Sequence, residues 1–235
     1  MGRHLNLPVY SQREKILASL AEHQVIVVES PTGSGKTTQI PLILHEAGYS
    51  ASGMIGVTQP RRIAAVSVSS YIAKQLDTEI PHVVGYKMRF YDETASDTRI
   101  KILTDGMLLQ EMKLDPMLRS YGVIMVDEAH ERSLNIDFIL GLLKQITAQR
   151  PEFKVIISSA TINPELFSRY FSSCPVIHID AQMYPVEVSW NPPKYNDEQA
   201  LYEQVRLLCE GHITERRAGD ILVFFSGEKQ ISDTL

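Results

Sequence analysis

The sequence predicts an α/β fold with a mostly parallel sheet and helices on both of its faces. Short apolar runs rich in Val and Ile alternate along the chain with longer segments of helical periodicity. Most runs are continuously apolar, as is typical of parallel strands buried on both sides. Polar residues follow most of these runs. Because ligands bind at the carboxyl ends of strands in such sheets, we expect these polar residues to form the functional site.

The first elements are a helix, a strand and a second helix. The helix begins at the sequence SQRE, 11–14, which is typical of a capping box, and carries apolar residues at Ile16, Leu17 and Leu20. A buried strand is predicted at 25–28. The glycine-containing loop SPTGSGKT, 30–37, follows the strand and precedes a helix over 38–46.

This order of strand, glycine loop, Gly-Lys-Thr and helix predicts a phosphate-binding P-loop. Gly33 and Gly35 allow successive N–H groups to point at an anion, beside the positive end of the new helix. Lys36 would reach the β- and γ-phosphates, and the Thr37 hydroxyl would bind Mg²⁺. Ser30 stands where this motif usually has Gly, and a glycine turn that binds nothing is the alternative. The residues expected to bind the nucleotide here are Thr32, Gly33, Ser34, Gly35, Lys36, Thr37 and Thr38.

Strands and helices continue to alternate downstream. Further strands are predicted at 54–58, 83–90, 99–103, 122–126, 154–157 and 175–179, with a polar loop over 91–98. Helices are predicted through 64–76, from a Thr104-Asp105 cap through 112, over 135–148, and from 163.

An acidic pair follows the apolar run 122–126. One carboxylate of such a pair holds Mg²⁺ and the next activates the attacking water, so we assign Asp127 to the metal and Glu128 to the water. A bare Asp-Glu pair would more often be an acidic loop. The apolar strand before it and the upstream P-loop favour the functional interpretation, which requires both to converge on one magnesium-bound triphosphate.

The amino-acid composition limits the classes of protein to which this chain can belong. A content of 44% hydrophobic and 22% charged residues is typical of a globular protein, and no apolar run approaches the roughly 20 residues that span a membrane. Without a signal peptide, and with Cys174 and Cys209 at no metal-ligand spacing, we expect a cytoplasmic protein. The net charge of −5 gives no overall basic field, so nucleic acid would need a local basic strip.

The composition of the chain changes after residue 181. We expect a first domain over 1–182, a linker rich in Pro and Asn over 183–196, and the incomplete start of a second α/β domain over 197–235. That start comprises a helix over 198–209 and a strand over 221–225. Residues 197–235 are too few to bury a core of this kind.

Six ordered motifs resemble the DEAH-box ATP-dependent helicases. They are TGSGKTTQ at 32–39, TQPRRIAA at 58–65, TDGMLL at 104–109, DEAHER at 127–132, SAT at 159–161 and GDILVF at 219–224. The resemblance implies a RecA-like first domain, the start of a second, and ATP hydrolysis with Mg²⁺ coupled to movement along single-stranded RNA or DNA, usually RNA. It also implies that later motifs, including the arginine fingers, and auxiliary C-terminal domains lie outside this sequence. We expect a monomer.

The resemblance also assigns roles to individual residues. Glu128, Lys36 and His130 would be catalytic. Ser159 and Thr161 would couple hydrolysis to strand separation. The positions that match contacts to the nucleic-acid backbone are Arg62, Arg89 and Thr104, and the adjacent Arg61 is expected to join them on its charge alone. Tyr71 stands where many relatives have an arginine that stacks on the nucleotide base. A physical interpretation extends the basic strip to six residues: Arg61, Arg62, Lys87, Arg89, Arg99 and Lys101.

Two other functions remain open on the sequence. The chain could be a non-catalytic module that binds nucleotide or RNA and docks partners, although Lys36, Asp127 and Glu128 are all intact. It could also be a P-loop ATPase of another class, although the motifs at the strand ends after the P-loop match helicases instead. As an enzyme, this sequence alone is expected to bind ATP, hydrolyse it weakly and not unwind a duplex.

Overall fold

The computed structural model describes residues 7–160, 164–180, 185–195, 197–215 and 218–234. The chain divides into two compact units, Met1–Gln182 and Met183–Leu235. Thr161 lies outside the described residues, so its predicted coupling role has no structural counterpart. The predicted division into two domains and a linker stays a prediction.

The first unit contains eight strands and seven α-helices among its described residues. The strands are β1 (Val25–Glu29), β2 (Met54–Gln59), β3 (Val84–Met88), β4 (Tyr91–Glu93), β5 (Ile100–Thr104), β6 (Tyr121–Val126), β7 (Lys154–Ser159) and β8 (Val176–His178). The helices are α1 (Pro8–Ser11), α2 (Arg13–Glu22), α3 (Lys36–Glu46), α4 (Arg62–Gln75), α5 (Asp105–Leu114), α6 (Leu134–Gln149) and α7 (Pro164–Tyr170).

All eight strands form one sheet in the order β4-β3-β5-β2-β6-β7-β1-β8. Every pairing is parallel except that of β3 with β4. The carboxyl ends of seven strands therefore meet at one edge of the sheet. The predicted α/β class with a mostly parallel sheet is confirmed.

Helices cover both faces of this sheet, and the strands bury side chains on each side. In β1, Ile26 and Val28 join one apolar cluster, together with residues of α2, α3 and α4. Val25 and Val27 point the other way and join a second cluster with residues of α5, α6 and α7. Successive side chains of a strand alternate between faces, so a continuous apolar run serves both cores.

The edge strand β4 replaces part of the polar loop predicted over 91–98. Its three residues are exposed and pair antiparallel with β3. Gly85 permits the pairing, because a Cβ there would lie 2.5 Å from the Glu93 carbonyl oxygen. The prediction is wrong because the strand forms through backbone pairing and a Lys87–Asp92 ion pair of 2.8 Å, not through apolar periodicity.

Two predicted helix caps are wrong. Ser11 belongs to α1, and its hydroxyl donates to the Pro8 carbonyl at 2.7 Å, so α2 begins after Gln12 without a side-chain cap. Thr104 occupies the N-cap position of α5 but makes no capping hydrogen bond. A cap does form at α6, where the Ser133 hydroxyl accepts from the Ile136 N–H at 3.2 Å.

The second unit contains helices α8 (Glu198–Thr214) and α9 (Glu228–Thr234) in its described part. The Asp197 carboxylate caps α8 by accepting from the Ala200 N–H at 2.7 Å. The strand predicted over 221–225 is absent from these described positions. A strand needs a neighbour to pair with, and the described residues of this unit provide none.

In the part of the chain that the structure describes, no helix has the length and hydropathy needed to cross a bilayer. Both cysteines are free thiols, and burial raises the pKa of the Cys174 thiol to about 11. The cytoplasmic location stays a prediction.

Candidate nucleotide-binding site and nucleic-acid edge

The loop between β1 and α3 turns through two glycines with left-handed backbone. Gly33 has φ +84° and Gly35 has φ +91°. A side chain at Gly35 would also approach Leu7 Cδ1 at 3.0 Å. Both positions therefore require glycine, one for backbone conformation alone and one also for space. The loop then leads its N–H groups into the first turn of α3, where anions bind favourably.

Ser30 begins this loop and shows why the usual glycine is dispensable there. It is not among the described residues with positive φ, so a side chain costs no backbone strain. Its hydroxyl is buried and hydrogen-bonds the Ser34 hydroxyl. Its N–H donates to the Ser159 carbonyl at 3.1 Å, which ties the loop to the end of β7.

The other polar loop residues take different positions. Thr32 is exposed at the tip of the loop, whereas Ser34 is buried beneath it. The Thr38 hydroxyl donates to the Gly35 carbonyl at 3.4 Å and accepts from Gln39 Nε2 at 3.0 Å. The backbone N–H groups of this segment, more than its hydroxyls, are the donors a phosphate would use.

Lys36 is buried, with 5% of its surface exposed. Its ammonium donates to the carbonyl oxygens of Ser30, at 2.5 Å, and Pro31, at 3.3 Å. Burial lowers the pKa of Lys36, and the nearby charges of Asp127 and Glu128 oppose that shift. The lysine therefore lies inside the loop, where neutral carbonyl groups are its hydrogen-bond acceptors.

Thr37 and Asp127 are 90 residues apart in sequence and in direct contact in space. The Thr37 hydroxyl donates to Asp127 Oδ2 at 2.6 Å. Asp127 is fully buried at the end of β6, and its Oδ1 has no hydrogen-bond partner among the described residues. A buried carboxylate oxygen without a donor is costly unless a cation satisfies it. One hydroxyl and one carboxylate also suit Mg²⁺, which usually takes one or two carboxylates and completes its shell with waters and phosphates.

Glu128 and His130 follow Asp127 in the chain. Glu128 has φ +51° and is half-buried. Burial, then the charge of Asp127, raises the pKa of Glu128. His130 Nδ1 accepts from the Ala160 N–H at 3.2 Å, so the ring proton belongs on Nε2, which is 3.4 Å from Glu128 Oε2. The histidine thus connects Glu128 to Ala160, the residue that follows β7.

Ser159 ends β7, between β6 and β1 in the sheet. Its side chain is buried, and its carbonyl accepts from the first N–H of the glycine loop. The next residue, Ala160, donates to His130. This strand end therefore contacts both the loop and the acidic segment, and the coupling role of Ser159 stays a prediction.

The residues predicted to contact nucleic acid lie along three neighbouring strands. Arg61 and Arg62 follow β2, Arg89 follows β3 and Thr104 ends β5, all at the carboxyl edge. The three arginines are exposed and Thr104 is half-buried. Arg61 pairs with Glu131 at 3.0 Å, and the Arg89 guanidinium lies 5.1 Å from the centre of the Phe90 ring.

The longer basic strip proposed from the sequence is wrong in two members, Lys101 and Arg99. Lys101 is buried within β5, and its ammonium lies 2.5 Å from Glu111 Oε1. Lys87 lies near the carboxyl end of β3, where it pairs with Asp92 and also lies 3.4 Å from Glu111, and its part in the strip stays a prediction. Arg99 precedes β5 and so lies at the opposite edge of the sheet. Sequence proximity placed these residues together, whereas strand direction and pairing separate them.

Tyr71 lies in α4 with 47% of its surface exposed. It precedes by one turn Gln75, whose side chain accepts from Gln39 Nε2 of α3 at 3.0 Å. Residues four apart share a helix face, so Tyr71 belongs to the side of α4 that meets α3. Its ring is accessible, and stacking on a base stays a prediction.

Gln59 is a site residue that the sequence-based assignment of roles omitted. It ends β2, and its Nε2 donates to Asp127 Oδ2 at 2.6 Å. The available signal was a polar residue at the end of an apolar strand, the same signal that identified Asp127. The hydrogen-bond partner of Gln59 depends on β2 lying beside β6, and no local sequence pattern indicates that neighbour.

Comparisons with known proteins give a family match and several similar relatives. Residues 10–168 match the family model described as DEAD/DEAH box helicase. The chain is 52% identical over 229 residues to the "ATP-dependent RNA helicase HrpA" of Borreliella burgdorferi, covering 97% of this chain and 28% of that protein. It is 46% identical over 231 residues to the Escherichia coli protein of the same name, and 48% identical over 230 residues to the "ATP-dependent RNA helicase HrpA homolog" of Haemophilus influenzae. Each of the latter two matches covers 97% of this chain but 18% of the relative.

Proposed function

Because the chain belongs to the DEAD/DEAH box helicase family, we propose that it binds ATP with Mg²⁺ and couples ATP hydrolysis to movement along single-stranded RNA. The observation that carries the proposal is the 2.6 Å contact between Thr37 and Asp127, which joins the glycine loop to the acidic pair. The choice of RNA is supported by the names of the relatives, each called an "ATP-dependent RNA helicase".

Thr37 and Asp127 would hold Mg²⁺, since the Thr37 oxygen retains lone pairs while its hydrogen binds Asp127, and Asp127 Oδ1 lacks a partner among the described residues. The ion would neutralise charge on the β- and γ-phosphates. Lys36 would exchange its two backbone carbonyl acceptors for phosphate oxygens, which offer full negative charge to an ammonium that burial destabilises.

Glu128 is the general base in this proposal. Its raised pKa makes it a stronger proton acceptor than an exposed glutamate, so it would take the proton of the attacking water more readily. His130 would orient it, because the imidazole is held from the other side by the Ala160 N–H. A change at the end of β7 would therefore alter the position of the base.

The nucleic-acid edge would bind the phosphate backbone. Arg61, Arg62 and Arg89 are exposed guanidinium groups on neighbouring strands, and contacts of this kind position a strand without reading its sequence. Thr104 can add a hydroxyl contact at the end of β5. Binding that is independent of sequence is what movement along RNA requires.

We propose weak hydrolysis by this chain alone. It spans 18–28% of the length of the relatives described above. The resemblance to the family implies that the arginine fingers belong to later motifs. An arginine finger contributes a factor of about 10³–10⁵ to phosphoryl transfer. Adding the complete second domain should therefore raise turnover by several orders of magnitude, with stimulation by RNA.

The test compares ATP turnover of wild type and Glu128→Gln in the chain extended through a complete second domain, with single-stranded RNA present. We expect turnover to fall about 10²–10⁴-fold while binding of a fluorescent ATP analogue persists. Glu152→Gln is the matched control, because Glu152 is exposed just before β7, at the opposite edge of the sheet. A loss under tenfold would reject catalysis and favour a non-catalytic nucleotide- or RNA-binding module.

A further inference from the structure

Gln59 is held rigidly at the end of β2. Its backbone lies in a strand paired on both sides, with Gln59 opposite Thr104 of β5 and Thr58 opposite Val126 of β6. Only 3% of the residue is exposed. The residue after Val126 is Asp127, so the amide and the carboxylate come from adjacent strand ends. Their 2.6 Å hydrogen bond is thus fixed by the sheet.

The two oxygens of Asp127 have opposite surroundings. Oδ2 accepts from both Thr37 Oγ1 and Gln59 Nε2, each at 2.6 Å. Oδ1 is equally buried and accepts from none of the described residues. Two donors on one oxygen fix the plane of a carboxylate and leave the other oxygen directed elsewhere. This asymmetry is the arrangement expected for a carboxylate that presents one oxygen to a cation.

We infer that Gln59 is a positioning residue for Asp127, whose amide fixes the carboxylate so that Oδ1 is available to Mg²⁺. The inference rests on the proposed nucleotide-binding function. Thr37 has two tasks in that function, because its hydroxyl both bonds Asp127 and binds the metal. Gln59 Nε2 is the donor on Asp127 that does not itself bind the metal.

The test measures equilibrium Mg²⁺ affinity in wild type and Gln59→Met, by titrating Mg²⁺ against a fluorescent ATP analogue. Methionine keeps the length of the side chain and removes the donor. We expect Mg²⁺ affinity to fall about 10–100-fold, the usual effect of removing a partner of a metal-binding carboxylate. Binding of the analogue in EDTA should stay within about twofold of wild type, since Gln59 acts through the metal ligand alone.

Gln24→Met is the matched control. Gln24 Nε2 also donates hydrogen bonds, to the carbonyls of Thr147 at 3.1 Å and Arg150 at 2.8 Å, but it precedes β1 at the opposite edge of the sheet. This variant should lower thermal stability and leave Mg²⁺ affinity unchanged. Gln59→Asn provides a second variant should the Met variant fail to fold. It keeps an amide of shorter reach and should also lose Mg²⁺ affinity.

Unchanged Mg²⁺ affinity in a folded Gln59 variant would overturn the inference. An equal loss of nucleotide affinity in Mg²⁺ and in EDTA would also overturn it, because Gln59 would then support the loop in general. In both cases wild type still binds the analogue, so the proposed function survives. A wild-type chain that binds no ATP analogue under either condition would reject both.

Discussion

Replacing Lys101 by Met should destabilise the fold and leave RNA binding unchanged. The residue lies within β5 and is 6% exposed. Its ammonium lies 2.5 Å from Glu111 Oε1 and 5.6 Å from the centre of the Tyr121 ring. The sequence alone assigns Lys101 to a basic strip for nucleic acid, whereas these contacts assign it to the core. The two interpretations predict opposite results for one substitution.

The expected loss of stability depends on the contacts that Glu111 keeps in the Lys101→Met variant. Removing one partner of a fully buried ion pair costs about 3–5 kcal/mol. The Glu111 side chain is 15% exposed, keeps the Tyr121 hydroxyl as a donor, and has the Lys87 ammonium at 3.4 Å. We therefore expect a loss of about 2–3 kcal/mol in the free energy of unfolding at neutral pH. For a unit of this size that lowers Tm by roughly 4–12 °C.

The loss should depend on pH. Burial alone would raise the pKa of Glu111, but hydrogen bonds from Lys101 and Tyr121 outweigh it and hold the pKa below its ordinary value. A lowered folded-state pKa stabilises the fold above the ordinary pKa of a glutamate, and that stability is lost as pH falls through the folded-state value. The difference between wild type and Lys101→Met should thus be largest near neutrality and shrink in acid.

Urea denaturation followed by circular dichroism measures the first effect, and binding of a fluorescent single-stranded RNA measures the second. Arg62→Met is the matched control, because Arg62 is exposed at the carboxyl edge. It should change stability by less than about 0.5 kcal/mol and weaken RNA binding with a shallower salt dependence. If Lys101→Met instead weakened RNA binding and left stability within about 0.5 kcal/mol, the assignment of Lys101 to the core would be wrong.

Three further predictions concern caps, charge and backbone. Ser133→Ala should cost about 1 kcal/mol of unfolding free energy because it removes the cap of α6, whereas Ser11→Ala should cost under about 0.5 kcal/mol; equal losses in urea denaturation would contradict the structure. Glu131→Gln should release Arg61 from its 3.0 Å ion pair and strengthen RNA binding about 1.5- to 5-fold at low salt, and weaker binding would refute this. Gly35→Ala should lower affinity for an ATP analogue about tenfold, since φ +91° strains a side chain by about 1–2 kcal/mol; unchanged affinity in a fluorescence titration would show that the loop adapts.

The parts of the site that the sequence predicts are local. The glycine loop and the Asp127-Glu128 pair are short contiguous segments, each preceded by an apolar run that identifies a buried strand. Their convergence also follows from the sequence, because parallel strands bring their carboxyl ends to one edge. The 2.6 Å contact of Thr37 with Asp127 meets that expectation across 90 residues.

The parts that the sequence does not predict depend on strand order. The Gln59–Asp127 hydrogen bond exists because β2 lies beside β6, although the two strands are separated along the chain by β3, β4 and β5. Lys101 was a different error, since a residue between Ile100 and Ile102 in a strand covered on both faces must be buried whatever its charge. The apolar neighbours of Lys101 predict its burial, whereas its charge alone predicts exposure.

Strand β2 occupies the boundary between the two proposed binding regions. On one side β3 and β5 lead to Arg89 and Thr104, and on the other β6, β7 and β1 lead to the acidic pair and the glycine loop. The Gln59–Asp127 hydrogen bond and the Arg61–Glu131 ion pair are side-chain contacts that cross this boundary near the carboxyl edge. An RNA phosphate bound by Arg61 would compete with Glu131, which lies in the segment that follows Asp127 and Glu128. If RNA changes nucleotide affinity through these contacts, linkage requires nucleotide to change RNA affinity by the same factor. Gln59→Met should then reduce these two coupling factors equally.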